Sequence, residues 1–174
     1  MDITKSTRHQ AIVGLFGEYL IANWLSRSGF EVTRVDHTGI DLLAFSPRTG
    51  RLGITVKSRT RNVGAETTSV TIFRSNRSDR QKVLAACDAF ACQPWIAVYV
   101  ETADYADLFL TSLENFDRRY ATRPEGGGEN WRMGSRHVAS YRVDQGLYHI
   151  RIDFSATNWW TLAPAVTAEA RVEE

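Results

Sequence analysis

The sequence contains no stretch approaching the roughly 18 consecutive apolar residues that a membrane helix requires. Its polar opening, Met1 to Gln10, lacks the apolar centre of a signal peptide. Neither a membrane span nor an export signal is expected, and the cytoplasm is the expected compartment. Cysteine is scarce. Cys87 and Cys92 stand alone in an alanine-rich segment, with no CxxC and no histidine at zinc-finger spacing, so we expect free thiols and neither a disulfide framework nor a zinc site. Net charge is nearly absent as well: +1 over 174 residues argues against a generally basic nucleic-acid binder.

What is present fits one ordinary domain. With 43% hydrophobic and 24% charged residues the chain matches globular averages, and it is long enough to close a core without staples. We expect a single domain over residues 1–155 and a weakly ordered tail over 156–174, with Trp159 and Trp160 docking against the body. The small net charge hides segregation. Arg51 to Lys82 carries eight basic residues against two acids, a local +6, whereas Val83 to Asp117 carries six acids and no Lys or Arg. A one-sided basic patch is the footprint of phosphate binding, and an Arg-rich solvated loop is the plain alternative.

Apolar spacing predicts an amphipathic helix from about Gln10 to Ser26, with Ile12, Leu15, Phe16, Tyr19 and Leu20 as its stripe and Gly29 as its stop. Strands are expected over Phe30 to Val35 and Ile40 to Phe45. Ser46-Pro47-Arg48-Thr49-Gly50 is a turn signal leading into the alternation Leu52, Ile54, Val56, which makes a hairpin. Ser69 to Arg74 reads as a further strand. Ser78 with Gln81 opens a helix through Phe90 that Pro94 terminates. Trp95 to Val100, Asp107 to Thr111 and Leu147 to Phe154 complete a mixed sheet, with a short helical segment ending near Tyr120 and a flexible loop over Pro124 to Asn130.

In the hairpin, alternation puts Asp41, Leu43 and Phe45 on one face of their strand and Thr55 and Lys57 on one face of the next. A register that joins those faces brings a carboxylate and an ammonium together beside the basic segment. Phosphodiester hydrolysis uses such parts: the carboxylate holds Mg²⁺, and the lysine orients water or neutralises charge. On spacing alone, an exposed Asp at a strand start and a Lys on a sheet face is the plainer explanation. Glu18 adds weight, because Gly14, Leu15, Ile21 and Ala22 at three and four positions offer it no intrahelical partner. It faces solvent, or it points to a metal or a basic group. Gly14 and Gly17 would admit a close backbone or phosphate, or simply tight packing.

Gly17-Glu18 in a first helix, Gly29-Phe30-Glu31-Val32 opening a strand, Gly39-Ile40-Asp41-Leu42-Leu43-Ala44 and Ile54-Thr55-Val56-Lys57-Ser58 follow one another in an order that resembles the PD-(D/E)XK nucleases, above all their archaeal Holliday-junction-resolvase-like and Mrr-like members. The resemblance spans roughly Arg8 to Val100. It implies an α/β fold of restriction-endonuclease type, an αβββαβ core whose mixed central sheet is flanked by helices, with C-terminal strand additions. It further implies a divalent metal, Mg²⁺ or Mn²⁺, held by Asp41 and Glu18, a catalytic Lys57, a DNA substrate and a homodimer. Thr55 departs from the pattern where the family has Glu, Asp or Gln. A hydroxyl is a weak neutral ligand, so Glu18, Asp36 or a substrate phosphate must supply the missing oxygen, or the domain binds nucleic acid or a protein partner without cutting.

Arg59, Arg61, Arg74, Arg77, Arg80, Gln81 and Lys82 are the candidate nucleic-acid contacts, several of them around the start of the second helix, where the dipole favours anions. Gln81 lacks the Tyr four residues later that exonuclease branches of the family carry, Ala85 standing there. His9 and His37 are read as surface residues.

Overall fold

The computed structural model describes residues 3, 5–62, 64, 69–75, 78–123 and 128–154. The expected tail over 156–174 with its two tryptophans, the loop glycines 126 and 127, and Arg77 lie outside the described residues. The elements run α1 (His9–Arg27), β1 (Glu31–Arg34), β2 (Leu42–Ser46), β3 (Gly50–Thr60), β4 (Val70–Phe73), α2 (Ser78–Ala89), β5 (Gln93–Glu101), β6 (Tyr105–Ser112), α3 (Leu113–Asn115) followed by one π-helical turn (Phe116–Tyr120), β7 (Ala121–Thr122), β8 (Glu129–Trp131), α4 (Ser135–Tyr141) and β9 (Leu147–Asp153). Six strands form a mixed central sheet in the order β1-β2-β3-β5-β6-β9, in which only β3 and β5 run parallel. This is the expected α/β architecture with its αβββαβ order, and β9 is the added C-terminal strand. No helix among the described residues is long and apolar enough to cross a membrane.

Helices cover both faces of the sheet. On one side Val13, Ile21 and Leu25 of α1 pack on Leu42, Ala44, Leu52, Ile54, Ala97 and Tyr99. On the other, Val83, Ala86 and Cys87 of α2 join Ile96, Val98, Val100 and Phe109 of the sheet. Strand alternation sorts β3 between these cores. Ser58 faces α1, since a Cβ at Gly17 would run into its hydroxyl, while Gly53 faces α2, where Cys87 and Cys92 fill the space its missing side chain leaves. Both cysteines are free thiols, as expected. Burial and the neighbouring Cys92 push the Cys87 thiol up to about 12, so it behaves as a small hydrophobe.

Four expectations need correction. The buried line of α1 is Val13, Gly17, Ile21 and Leu25, spaced by four. Ile12, Leu15 and Tyr19 of the expected stripe are 56%, 47% and 58% exposed. Gly17 lets the helix lie close on Ser58 and Tyr99, and that contact sets which face turns inward. Second, β4 leaves the central sheet and joins β8 and β7 in a separate three-stranded sheet, order β4-β8-β7. Third, the loop expected over Pro124 to Asn130 gives way at its end to β8, which begins at Glu129. Fourth, Pro94 does not end α2, because it lies inside β5.

The stop of α2 is built from backbone. Ala91 takes φ +50° and Cys92 N–H donates to the Cys87 carbonyl at 2.9 Å, the αL exit that α1 makes with Gly29 (φ +86°) and Phe30 N–H on the Leu25 carbonyl at 3.1 Å. Glycine relieves the Cβ strain at such a position. Ala91→Gly should therefore raise stability by about 0.5–1 kcal/mol in a urea melt, and a lower midpoint would contradict the strain.

Candidate functional site

Asp41 sits just before β2, held by its own backbone: its N–H donates to the Ile54 carbonyl at 2.8 Å and its carbonyl accepts from Val35 N–H at 3.0 Å. Strand β3 outruns β2, whose last register partner on it is Ile54 opposite Leu42. The Val56 N–H just beyond donates to Asp41 Oδ2 at 2.6 Å, and the Thr55 hydroxyl donates to the same oxygen at 3.4 Å. One carboxylate oxygen is thus fixed by the strand end, and Thr55, 2% exposed, lies against it.

Lys57 follows two residues along the same face of β3, half-buried, and no hydrogen bond or ion pair engages its ammonium among the described residues. Arg59 and Arg61 continue the alternation. Arg59 Nη1 donates to the Ser58 carbonyl at 2.7 Å, and Arg61 is 5% exposed, its N–H bonded to the Glu101 carbonyl at 2.9 Å. The row Thr55, Lys57, Arg59, Arg61 lies on the α2 face.

Glu18 stands on α1, which covers the opposite face. Its Oε2 accepts from Arg34 Nη2 at 2.7 Å and Nε at 3.0 Å, and Arg34 lies over the Tyr19 ring at 4.7 Å while donating to its hydroxyl at 3.1 Å. Of the two options the helix left open, Glu18 points to a basic group. Gly17 serves tight packing, whereas Gly14 has open space around it.

A tightly held Mg²⁺ demands near-octahedral oxygen ligation, normally with one or two carboxylates. Asp41 offers one uncommitted oxygen, Thr55 a neutral hydroxyl already donating to Asp41, and Glu18 is engaged by Arg34. No group of three His, Cys, Asp or Glu side chains converges as metal ligands among the described residues. The side chains present therefore do not by themselves fit a resident divalent ion.

The remaining candidates divide. Gln81 and Lys82 are exposed at the start of α2, and Arg74, with its side chain 81% exposed, lies 3.8 Å from Asp79. Arg80 is committed elsewhere. It ion-pairs with Asp117 and, at 2.7 Å, with Glu129, tying α2 to the π-turn and β8. His9 belongs to a buried polar network on the α1 face, where Thr60 and Tyr99 donate to Glu101, both at 2.6 Å, and His9 Nε2 meets the Thr60 hydroxyl at 2.9 Å. Burial and Glu101 push the Tyr99 hydroxyl far up, so it stays protonated. His37 accepts from Gly39 N–H and packs edge-on against Phe90.

Sequence reasoning missed a second polar constellation. Asp107 accepts from His149 Nε2 at 2.7 Å and from Arg151 Nη2 and Nε at 2.7 and 2.9 Å, with His149 stacked on Phe109 at 4.6 Å and Arg151 over Tyr105 at 4.2 Å. A signal was available: Asp107 interrupts the otherwise apolar core of its strand, between Ala106 and Leu108.

No protein-family model and no curated protein matches the chain. Among solved structures it is similar to Hjc, a Holliday junction resolvase from the archaeal hyperthermophile Archaeoglobus fulgidus, at 14% sequence identity and a TM-score of 0.45, with 68% of this chain and 88% of that chain covered.

Proposed function

We propose that this chain binds DNA through the face of β3 that carries Lys57, Arg59 and Arg61, extended by Arg74, Gln81 and Lys82 beside α2. The supporting observation is Lys57: a half-buried side chain whose ammonium has no ion partner among the described residues, on the same strand face as a carboxylate that the backbone holds. A phosphate would supply the missing partner. Binding needs none of the metal that the side chains fail to hold.

Metal-dependent hydrolysis, the activity of an endonuclease or a resolvase-like enzyme, is favoured by Asp41. Its carboxylate is fixed on the face of Lys57 with one oxygen left for a ligand. In that case Asp41 and a substrate phosphate would have to hold Mg²⁺ or Mn²⁺ without Glu18, which lies across the sheet on Arg34, and the ion would supply Lewis acidity at the phosphorus. Lys57 would neutralise charge, and Thr55 would keep the Asp41 oxygen in place. Two copies would be needed for paired cuts.

One experiment separates the two functions. Fluorescence anisotropy with single-stranded, duplex and branched DNA, run with EDTA, should show binding that Lys57→Ala weakens roughly tenfold, with the salt slope lowered by about one. Asp41→Ala should leave binding unchanged or tighter, since it removes a repelling charge. Failure of all three DNAs to bind would overturn the proposal. Cleavage in Mg²⁺ or Mn²⁺, abolished by both variants, would add hydrolysis to binding; intact DNA at protein concentrations that saturate binding would exclude it.

A further inference from the structure

A cavity of about 290 Å³ opens on the α2 face of the sheet, between the ends of β5, β6 and β9 and the helix α4. Its wall includes Arg61, Arg142, Arg151, Asp107, Tyr105 and Val138. Three guanidinium groups against one carboxylate leave the lining with a formal charge of +2. Asp107 does not cancel this positive character evenly, because its oxygens are taken by Arg151 and His149. Their bonds hold its carboxyl below the ordinary range although burial pushes the other way. The pair fixes Arg151 as a rigid wall, while Arg61, 5% exposed, and the exposed Arg142 stand on the same cavity.

The sheet register links this cavity to the proposed DNA-binding row. Arg59 is opposite Val100, Val100 opposite Asp107, and Asp107 opposite Arg151. Three strand spacings, roughly 14 Å, therefore carry one face of the sheet from the β3 row to the far wall of the cavity, and Arg61 belongs to both. The planar fork of arginine suits the paired oxygens of a phosphate monoester. An aromatic and apolar wall beside it suits a base or sugar. The volume lies at the lower end for small-molecule sites, which is the scale of one nucleotide and too small for a duplex.

We infer that this cavity takes a terminal nucleotide with its phosphate monoester, at the end of the strand whose backbone lies along β3. The inference rests on the DNA-binding function and adds to it an end-recognition pocket, with Arg142 and Arg61 as its phosphate contacts and the Arg151–Asp107 pair as its wall.

The test is anisotropy with one single-stranded oligonucleotide carrying a 5′-phosphate, a 3′-phosphate or hydroxyls at both ends. One of the phosphorylated forms should bind roughly tenfold tighter than the hydroxyl form, the scale of a charge-assisted contact. Arg142→Glu, at an exposed position, should abolish that difference, the phosphorylated forms falling to the affinity that the same variant has for the hydroxyl form. Lys57→Ala should weaken all forms alike. Equal affinity of all three forms, or a preference that survives in Arg142→Glu, overturns the pocket. Competition arms identify the ligand: a matching nucleoside monophosphate should displace the phosphorylated strand at lower concentration than inorganic phosphate does, and equal potency would remove the nucleoside from the proposal. If no oligonucleotide binds, the DNA-binding function fails. The pocket is then judged by the mononucleotide alone, supported by a rise in Tm that Arg142→Glu loses and overturned by no rise.

Discussion

Trp131→Ala is expected to lower the unfolding free energy by about 3–5 kcal/mol. The indole is completely buried and is the hub of an aromatic cluster: it stacks on Tyr120 at 5.2 Å and 12° and lies tilted against Phe116, Phe109 and Tyr141 at 5.6, 5.8 and 6.2 Å. These rings come from β6, the π-turn and α4, so one side chain joins the second sheet to the central one. Deleting it removes the largest fully buried side chain among the described residues and leaves a cavity bounded by elements that cannot collapse independently. Trp131→Phe should recover most of the loss. A phenyl ring at this position keeps most of the aromatic contacts. Far-UV circular dichroism in urea measures both. A loss under 1 kcal/mol for the alanine variant would mean that the second sheet is not packed as described.

Asp107→Asn should lower stability by roughly 2–3 kcal/mol at neutral pH. Removing one partner of a fully buried pair costs about 3–5 kcal/mol. The smaller figure applies because Arg151 is 44% exposed, so water compensates part of its charge, while Asp107 itself is only 8% exposed. The effect depends on pH in a definite sense. Burial pushes the Asp107 carboxyl up, but hydrogen bonds from His149 and Arg151 outweigh it and hold the folded value below the ordinary 3.8. A carboxylate depressed in the folded state stabilises fully above the unfolded value and loses that stabilisation as pH falls through the folded one. Asp144 behaves alike: burial opposes, and Tyr120 and Asn115 prevail. Stability should thus fall as the pH drops below about 4, and Asp107→Asn should flatten part of that fall. Parallel acid limbs for the two proteins would show that the pair contributes nothing.

How far the sequence foretold this differs element by element. The β2–β3 hairpin was legible because alternation and a Ser-Pro-Arg-Thr-Gly turn agree, and the agreement set the register that puts Asp41 against Thr55. Strand β4 was legible as a strand but not as a member of the second sheet, since period-two alternation reports burial of one face and carries no name of a partner. The inward face of α1 was misjudged because its central position is Gly17, which adds nothing to a hydrophobic stripe yet makes the closest approach. Charge runs misled in a related way. Arg80 looked available within a basic segment, but its partner Asp117 lies 37 positions on, in the acidic one. Glu18 lacked a helical partner and found Arg34 sixteen positions away, across the turn into β1. Local sequence shows which groups need a partner; the fold decides which they receive.

The single parallel pair in the sheet also dictates an order of assembly. Strands β1, β2 and β3 meet through short turns, with Ser46 opposite Gly50, so this meander closes with little loss of chain entropy. Joining β3 to β5 brings Leu52 to Gln93, 41 positions apart, and β9 must find β6 across a similar gap, with Thr111 opposite Leu147. Such distant pairings are the slow step of folding. Until β5 arrives, the backbone N–H and C=O groups along one side of β3 stand unpaired as an open strand edge, and Leu52 and Ile54 on its α1 face are only partly covered. The nascent chain is therefore most prone to self-association in the interval between completing β3 and completing β5, and refolding yield should fall with protein concentration for that reason.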